Sequence, residues 1–269
     1  SQAVYFQRER RNSVDPCSAG LIHSQDNSVF TGCLPFVTAR YTAICDKWQS
    51  VLEHEYCKRP ERKASRMFSQ YGKTGISISR LAFGAMRFAE PKNVQKMAEV
   101  VLAAHEAGIN YFDTAPGYCA DMSEQIVGAA VRQMKKGGKP FYLSSKTSKP
   151  GADGVRADLE RSLARLGVDC LDFYHCWYIL SLEGWESRKI GGAVDELLKA
   201  KQEGIVRHLV FSTHLPGDEI QVILNENIFE GVTLGYNAVN FPYREAAVLA
   251  AGKAGIGLVV MNPLGGGTI

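Results

Sequence analysis

Residues 110–146 read NYFDTAPGYCADMSEQIVGAAVRQMKKGGKPFYLSSK. Asn110 to Ala115 has the composition of a strand. Ser123 to Lys135 is a helix with Ser123 as its N-cap, and Phe141 to Lys146 is a second strand. A strand, a helix and a strand in this order make a right-handed crossover between parallel neighbours.

The same unit recurs on both sides. Leu81 to Met86 is a strand and Asn93 to Ala107 an amphipathic helix that stops at Gly108. Asp153 to Leu166 is a helix ending at Gly167, and Cys170 to Trp177 a strand followed by a longer loop. Gly192 to Glu203, Asp218 to Asn227 and Arg244 to Ala254 are helices. Val206 to Ser212, Gly231 to Asn237 and Ile256 to Asn262 are strands. Seven strands thus alternate with six helices, which calls for a parallel sheet wrapped in helices. No Gly-x-Gly-x-x-Gly opens the first helix, which disfavours a doubly wound dinucleotide-binding sheet. The expected fold is α/β, a TIM (β/α)8-type barrel without its last βα unit in this sequence.

The chain has 269 residues and a net charge of +3, with 45% hydrophobic and 22% charged residues. These values belong to a globular chain rather than a disordered or collagen-like one. No apolar run reaches the ~18 residues of a membrane helix. Residues 1–66 carry ten Lys/Arg and seven Asp/Glu, whereas 67–269 carry twenty-one of each. The excess is confined to the first quarter and is too small to indicate nucleic acid. Residues 1–66 show no clear period beyond one helix from Thr42 to Tyr56, and Lys58 to Lys63 reads as an exposed linker. They are taken as an N-terminal extension of unknown role, and 67–269 as the barrel.

Seven cysteines, an odd number, point to a reducing compartment and hence the cytoplasm. No signal peptide pattern opens the sequence. Cys119, Cys170, His175 and Cys176 match no common metal spacing. Cys17, Cys33, Cys45 and Cys57 lie too far apart for a usual iron–sulfur run. No metal and no iron–sulfur cluster is expected.

In a barrel, chemistry gathers where strands end. Asp113 and Tyr118 follow the second strand, Lys146 ends the third, and His175 and Trp177 end the fourth. Ser212, Thr213 and His214 end the fifth, Tyr236 and Asn237 the sixth. A phenol is a poor acid at neutral pH unless its environment is tuned. A nearby ammonium favours the phenolate, a carboxylate holds the ammonium, and an imidazole orients a carbonyl oxygen. Tyr118, backed by Lys146 and Asp113, is thereby fitted to protonate a carbonyl oxygen. His214 reads as supporting structure.

Phe112-Asp113-Thr114-Ala115-Pro116-Gly117-Tyr118 with Ser123 to Gly128 resembles the aldo/keto reductase signature around its catalytic Asp and Tyr. Ser145-Lys146-Thr147 is similar to the family's Lys strand. Val210 to His214, Gly235-Tyr236-Asn237 and Pro263 to Gly267 are similar to its later strand ends. The likeness runs from Gln70 to Ile269, and is nearest to the bacterial and archaeal branch that often carries a C-terminal iron–sulfur region. It implies a TIM barrel, NADP or NAD, and reversible reduction of a small-molecule carbonyl. Asp113, Tyr118, Lys146 and His175 take the catalytic roles. Ser212 holds the carboxamide, Tyr236 stacks on the nicotinamide, and Leu264 and Gly265 lie near the pyrophosphate.

Three departures accompany the likeness. The family's His position, five residues after Asp172, is Trp177: either the register differs, or His175 reaches the substrate, or the set is only a triad; Trp177 is placed in the substrate pocket. His175 lies two residues deeper, about 6.6 Å at ~3.3 Å per residue. Thr233 stands where a Gln is common. The last barrel elements are not in this sequence, through truncation or by nature; in the second case a strand edge is left for a partner chain, a second copy or residues 1–66 to cover. The rival readings are a non-redox lyase or isomerase on the same barrel, and a non-catalytic binding or regulatory subunit.

Overall fold

The structure is a computed structural model, and it describes residues 67–265. The helix expected at 42–56 lies outside the described residues. A short antiparallel hairpin comes first, β1 (Phe68–Gln70) with β2 (Ser77–Ser79). Seven parallel strands follow. They are β3 (Phe83–Gly84), β4 (Tyr111–Asp113), β5 (Tyr142–Thr147), β6 (Leu171–Ile179), β7 (Val206–Thr213), β8 (Gly231–Gly235) and β9 (Gly257–Met261). Their order in the sheet is their order in the chain, which short right-handed crossovers produce.

The helices are α1 (Val94–Glu106), α2 (Ser123–Gly137), α3 (Ala152–Leu166), α4 (Leu182–Ile190), α5 (Ala193–Gln202), α6 (Gly217–Asn225) and α7 (Phe241–Ala254). Each of the six expected helices is present. The seventh, α4, lies where the sequence suggested only a loop. Its Gly184 and its small buried face, Trp185 and Arg188, hide the period. Ser181 caps it by accepting from Gly184 N at 2.9 Å.

Ser123 does not act as the N-cap of α2. Met122 holds that position without a side-chain bond. The Ser123 hydroxyl turns inward instead, 2.7 Å from both Thr114 Oγ1 and Ala85 O. It ties the helix start to the ends of β3 and β4.

The sheet is strongly curved. Tyr71, in the β1–β2 turn, stacks at 6.3 Å on Tyr111 of β4 and meets Phe173 of β6 edge-on at 4.7 Å. It also lies so close to β8 and β9 that a Cβ on Gly231 or Gly257 would fall 2.0 and 2.3 Å from it. In a flat sheet β4 and β9, five strands apart, would be ~24 Å apart. One ring touching both requires a curled sheet, and Tyr71 with Ile78, Tyr111, Phe173 and Val210 forms its floor. The larger core lies outside the sheet, where residues such as Leu143, Tyr174 and Phe211 meet the helices.

Helix packing on that outer face is close. A Cβ on Gly128 of α2 would stand 2.1 Å from the Arg165 carbonyl oxygen of α3. Backbone cannot retreat as a flexible side chain does. Gly128→Ala is therefore expected to cost about 2 kcal/mol and to lower the thermal unfolding midpoint by about 6 °C, measured by circular dichroism.

Candidate active site

Strand register assembles the site. Asp113 pairs with Ser144, and Lys146 with His175, so alternate side chains of β4, β5 and β6 meet inside the curl. Lys146 Nζ lies 2.5 Å from Asp113 Oδ2 and 2.9 Å from the Thr114 carbonyl. Ser144 donates to Asp113 Oδ1 at 2.9 Å, a contact the sequence did not announce. Lys146 is 2% exposed. Burial pulls its ammonium down from the ordinary value, against the opposing effect of Asp113.

His175 is fully buried, with Nε2 3.8 Å from Asp113 Oδ1. Neither ring nitrogen has a hydrogen-bond partner among the described residues. Burial first, and then Lys146, push its pKa well below 6.5. The imidazole is therefore neutral. Below pH 6.5 the unfolded chain takes up a proton at this position that the folded chain refuses, so stability falls as the solution is acidified. His175→Gln is expected to remove up to about 1.4 kcal/mol per pH unit of this dependence. Urea titrations at about pH 7 and pH 5 measure it.

Tyr118 is held by an unusual loop. Gly117 has φ +79°, and Cys119, Ala120 and Asp121 have φ +53°, +54° and +68°. Three successive non-glycine residues in the left-handed region need outside support. Asp121 accepts from Gly117 N at 2.8 Å and binds Arg165 of α3 at 2.8 and 2.6 Å. Cys119 Sγ accepts from Phe88 N at 3.2 Å and donates to Met86 O at 2.9 Å. The Tyr118 ring then lies 5.4 Å from Lys146 Nζ and edge-on to Trp177 at 5.6 Å.

The expectation that Lys146 lowers the Tyr118 phenol is not met. Burial and then Asp113 push that phenol up. The ammonium lies over the Tyr118 ring and is already engaged by the carboxylate.

Ser212 and Thr233 are register partners on β7 and β8. Ser212 is buried, and Thr233 Oγ1 is buried without a partner among the described residues. Tyr236 follows β8 and is partly exposed, its phenol raised by burial and then by Glu245. Leu264 is exposed in the turn after β9, where Gly265 N donates to Asn262 O at 3.0 Å. Asn237 Nδ2 reaches the same Asn262 oxygen at 3.0 Å, tying this turn to the end of β8. The His214 imidazole is lowered by burial and then by Arg244. The partnerless Thr233 hydroxyl, in register with buried Ser212, is a polar group that a carboxamide-bearing ligand would fit.

Two buried arginines escaped sequence reading. Arg244 of α7 donates to Gly235 O at 2.7 Å and His214 O at 2.9 Å, joining the ends of β8 and β7. Arg188 of α4 is described below. For Arg244 the available signal was a cation near the start of a helix, where the dipole disfavours it; Arg188, in the last turn of α4, is where a cation is ordinary and gave no such signal.

Among the described residues no group of His, Cys, Asp and Glu is arranged to hold a metal ion. Cys119, Cys170 and Cys176 are free thiols, and burial pushes the Cys176 thiol up to about 12.

The sequence model described as the Aldo/keto reductase family matches residues 80–269. L-Galactose dehydrogenase of Arabidopsis thaliana is 30% identical over 163 residues, covering 57% of this chain and 50% of that one. This chain thus spans half the length of that relative. An aldo-keto reductase from Bacillus halodurans, solved in its holo form, superposes with a TM-score of 0.60 at 24% identity, covering 75% of this chain and 68% of that one. A Bombyx mori aldo-keto reductase, solved with NADP, gives 0.57 at 21% identity, covering 72% and 65%.

Proposed function

The chain belongs to the aldo/keto reductase family, and on that premise we propose that it interconverts a small-molecule carbonyl and its alcohol with NAD(P)H. The observation that carries this reading is the buried Lys146–Asp113 pair at the sheet mouth, beside Tyr118 and a neutral His175. A bound nicotinamide would supply or accept the hydride.

Tyr118 is the acid/base. Its phenol, a weaker acid than a free one because of burial and Asp113, stays protonated at neutral pH and gives its proton to the carbonyl oxygen, which becomes a far stronger base as hydride reaches the carbon. Asp113 fixes Lys146, whose charge lies against the Tyr118 ring. His175, with a free ring nitrogen, orients the substrate oxygen. Ser212 and Thr233 would hold the carboxamide of a bound nicotinamide, and Tyr236 would lie against its ring. Leu264 and Gly265 would hold the pyrophosphate, and Trp177 forms the substrate wall in this reading.

Residues 1–66 are a separate extension in this reading, and the setting is a reducing cytoplasm that keeps Cys119, Cys170 and Cys176 as thiols. Among the described residues no helix is long and apolar enough to cross a membrane. Fluorescence titration of the purified protein with NADPH and NADH tests the proposal. Saturable binding of either supports it, and binding of neither overturns it.

A further inference from the structure

Strand β6 is irregular where it enters the mouth. Its pairing with β7 shifts between Cys176 and Ile179, and Tyr178 adopts φ +64°. A bulge of this kind re-aims a side chain but leaves carbonyl groups outside the ladder. One side chain collects them. Arg188, 8% exposed, donates from Nη2 to Trp177 O at 3.1 Å and Tyr178 O at 3.2 Å, with Ser148 O at 3.5 Å. Its Nη1 donates to Gly184 O at 2.7 Å.

Arg188 forms no ion pair among the described residues, and its Nε is buried without a partner. A cation placed this way costs desolvation that no carboxylate offsets, so it is a poor choice for stability alone. Its platform is firm. Ala152 N bonds to Gly191 O at 3.2 Å, and a Cβ on Gly191 would stand 2.2 Å from Pro150 O. Trp185 Nε1 donates to Glu226 at 2.8 Å.

We propose that Arg188 is a positioning residue that fixes the β6 bulge and thereby holds Trp177 as the wall of the substrate site. Ser148 and Trp177, whose carbonyls it joins, line the same cavity of about 270 Å3, together with Lys146 and Pro116. The guanidinium fork serves because it is planar and directs several donors at once, which an ammonium on a flexible stem cannot do. The wall is then set by a residue that never touches the substrate. This inference rests on the reductase reading for its kinetic consequence, but not for its structural one.

Two measurements on the full chain test it. The first is near-ultraviolet circular dichroism. The difference between the native protein and Trp177→Phe reports the ring environment of Trp177, which is edge-on to both Tyr118 and Tyr178. Arg188→Lys is expected to lose most of that difference signal with its far-ultraviolet spectrum intact. This arm needs no turnover, so it stands even if the reductase reading fails. The second is kinetic. Arg188→Lys is expected to lower kcat/KM for carbonyl reduction about tenfold, and to have less than about a twofold effect once Trp177 is Ala. A general structural role would lower both backgrounds alike. An unchanged difference spectrum, equal losses in the two backgrounds, or unfolding of Arg188→Lys each overturns the proposal.

Discussion

Tyr118→Phe is expected to lower kcat for carbonyl reduction by about three orders of magnitude, within the span ascribed to a positioned proton donor. The substitution removes one oxygen and keeps the ring, so the edge contact with Trp177 and the approach of Lys146 to the ring survive. KM for the carbonyl and affinity for the nicotinamide should therefore change little, and kcat should carry the loss. The pH profile gives an independent check. Burial and Asp113 raise the phenol above its usual 10, so the donor form persists throughout the neutral range. The native reduction rate should stay level from neutrality to about pH 9. Steady-state kinetics across that range measures it. A fall in reduction rate centred near pH 7 would assign the proton to another group.

Asp113→Ala is expected to abolish turnover and to lower stability by about 3 kcal/mol, because it leaves a buried ammonium without its counter-charge. Lys146 is 2% exposed and is already held below its ordinary value by burial. The Ser144 hydroxyl loses its acceptor at the same time. The sharper test is the double variant Asp113→Ala with Lys146→Met. It removes both charges, so most of the stability should return while turnover stays absent. Chemical denaturation and activity assays read the two outcomes separately. If stability failed to recover, the loss would come from packing around Asp113 rather than from the stranded charge.

The legible parts of the site are those fixed by spacing along a strand. Asp113, Lys146 and His175 each fall at a predictable distance along β4, β5 and β6, and parallel register brings them together. The placement of Trp177 above His175 follows from the same alternation. The bulge at Tyr178 does not, since a two-residue irregularity leaves no period behind. Tyr118 is an intermediate case. Its position after Asp113 was readable, but not the face it turns to Lys146. That face depends on a left-handed loop held by Arg165, forty-four residues from Asp121.

The hairpin of β1 and β2 was missed for a related reason. Strands of three residues give too few alternations to register, and the role of Tyr71 as a floor depends on glycines at 231 and 257.

By itself, the sequence determined the run of strands and helices, the parallel order and the set of groups at the strand ends. Hydrophobic period and chain order are local properties, and short crossovers leave a parallel sheet little topological choice. Only the tertiary structure decided how the sheet curls over Tyr71, that Lys146 meets Asp113 and the Tyr118 ring together, and that Arg188 and Arg244 bind carbonyl ends. Those contacts join residues far apart in the chain, and their energies depend on burial, which exists only once the elements have packed.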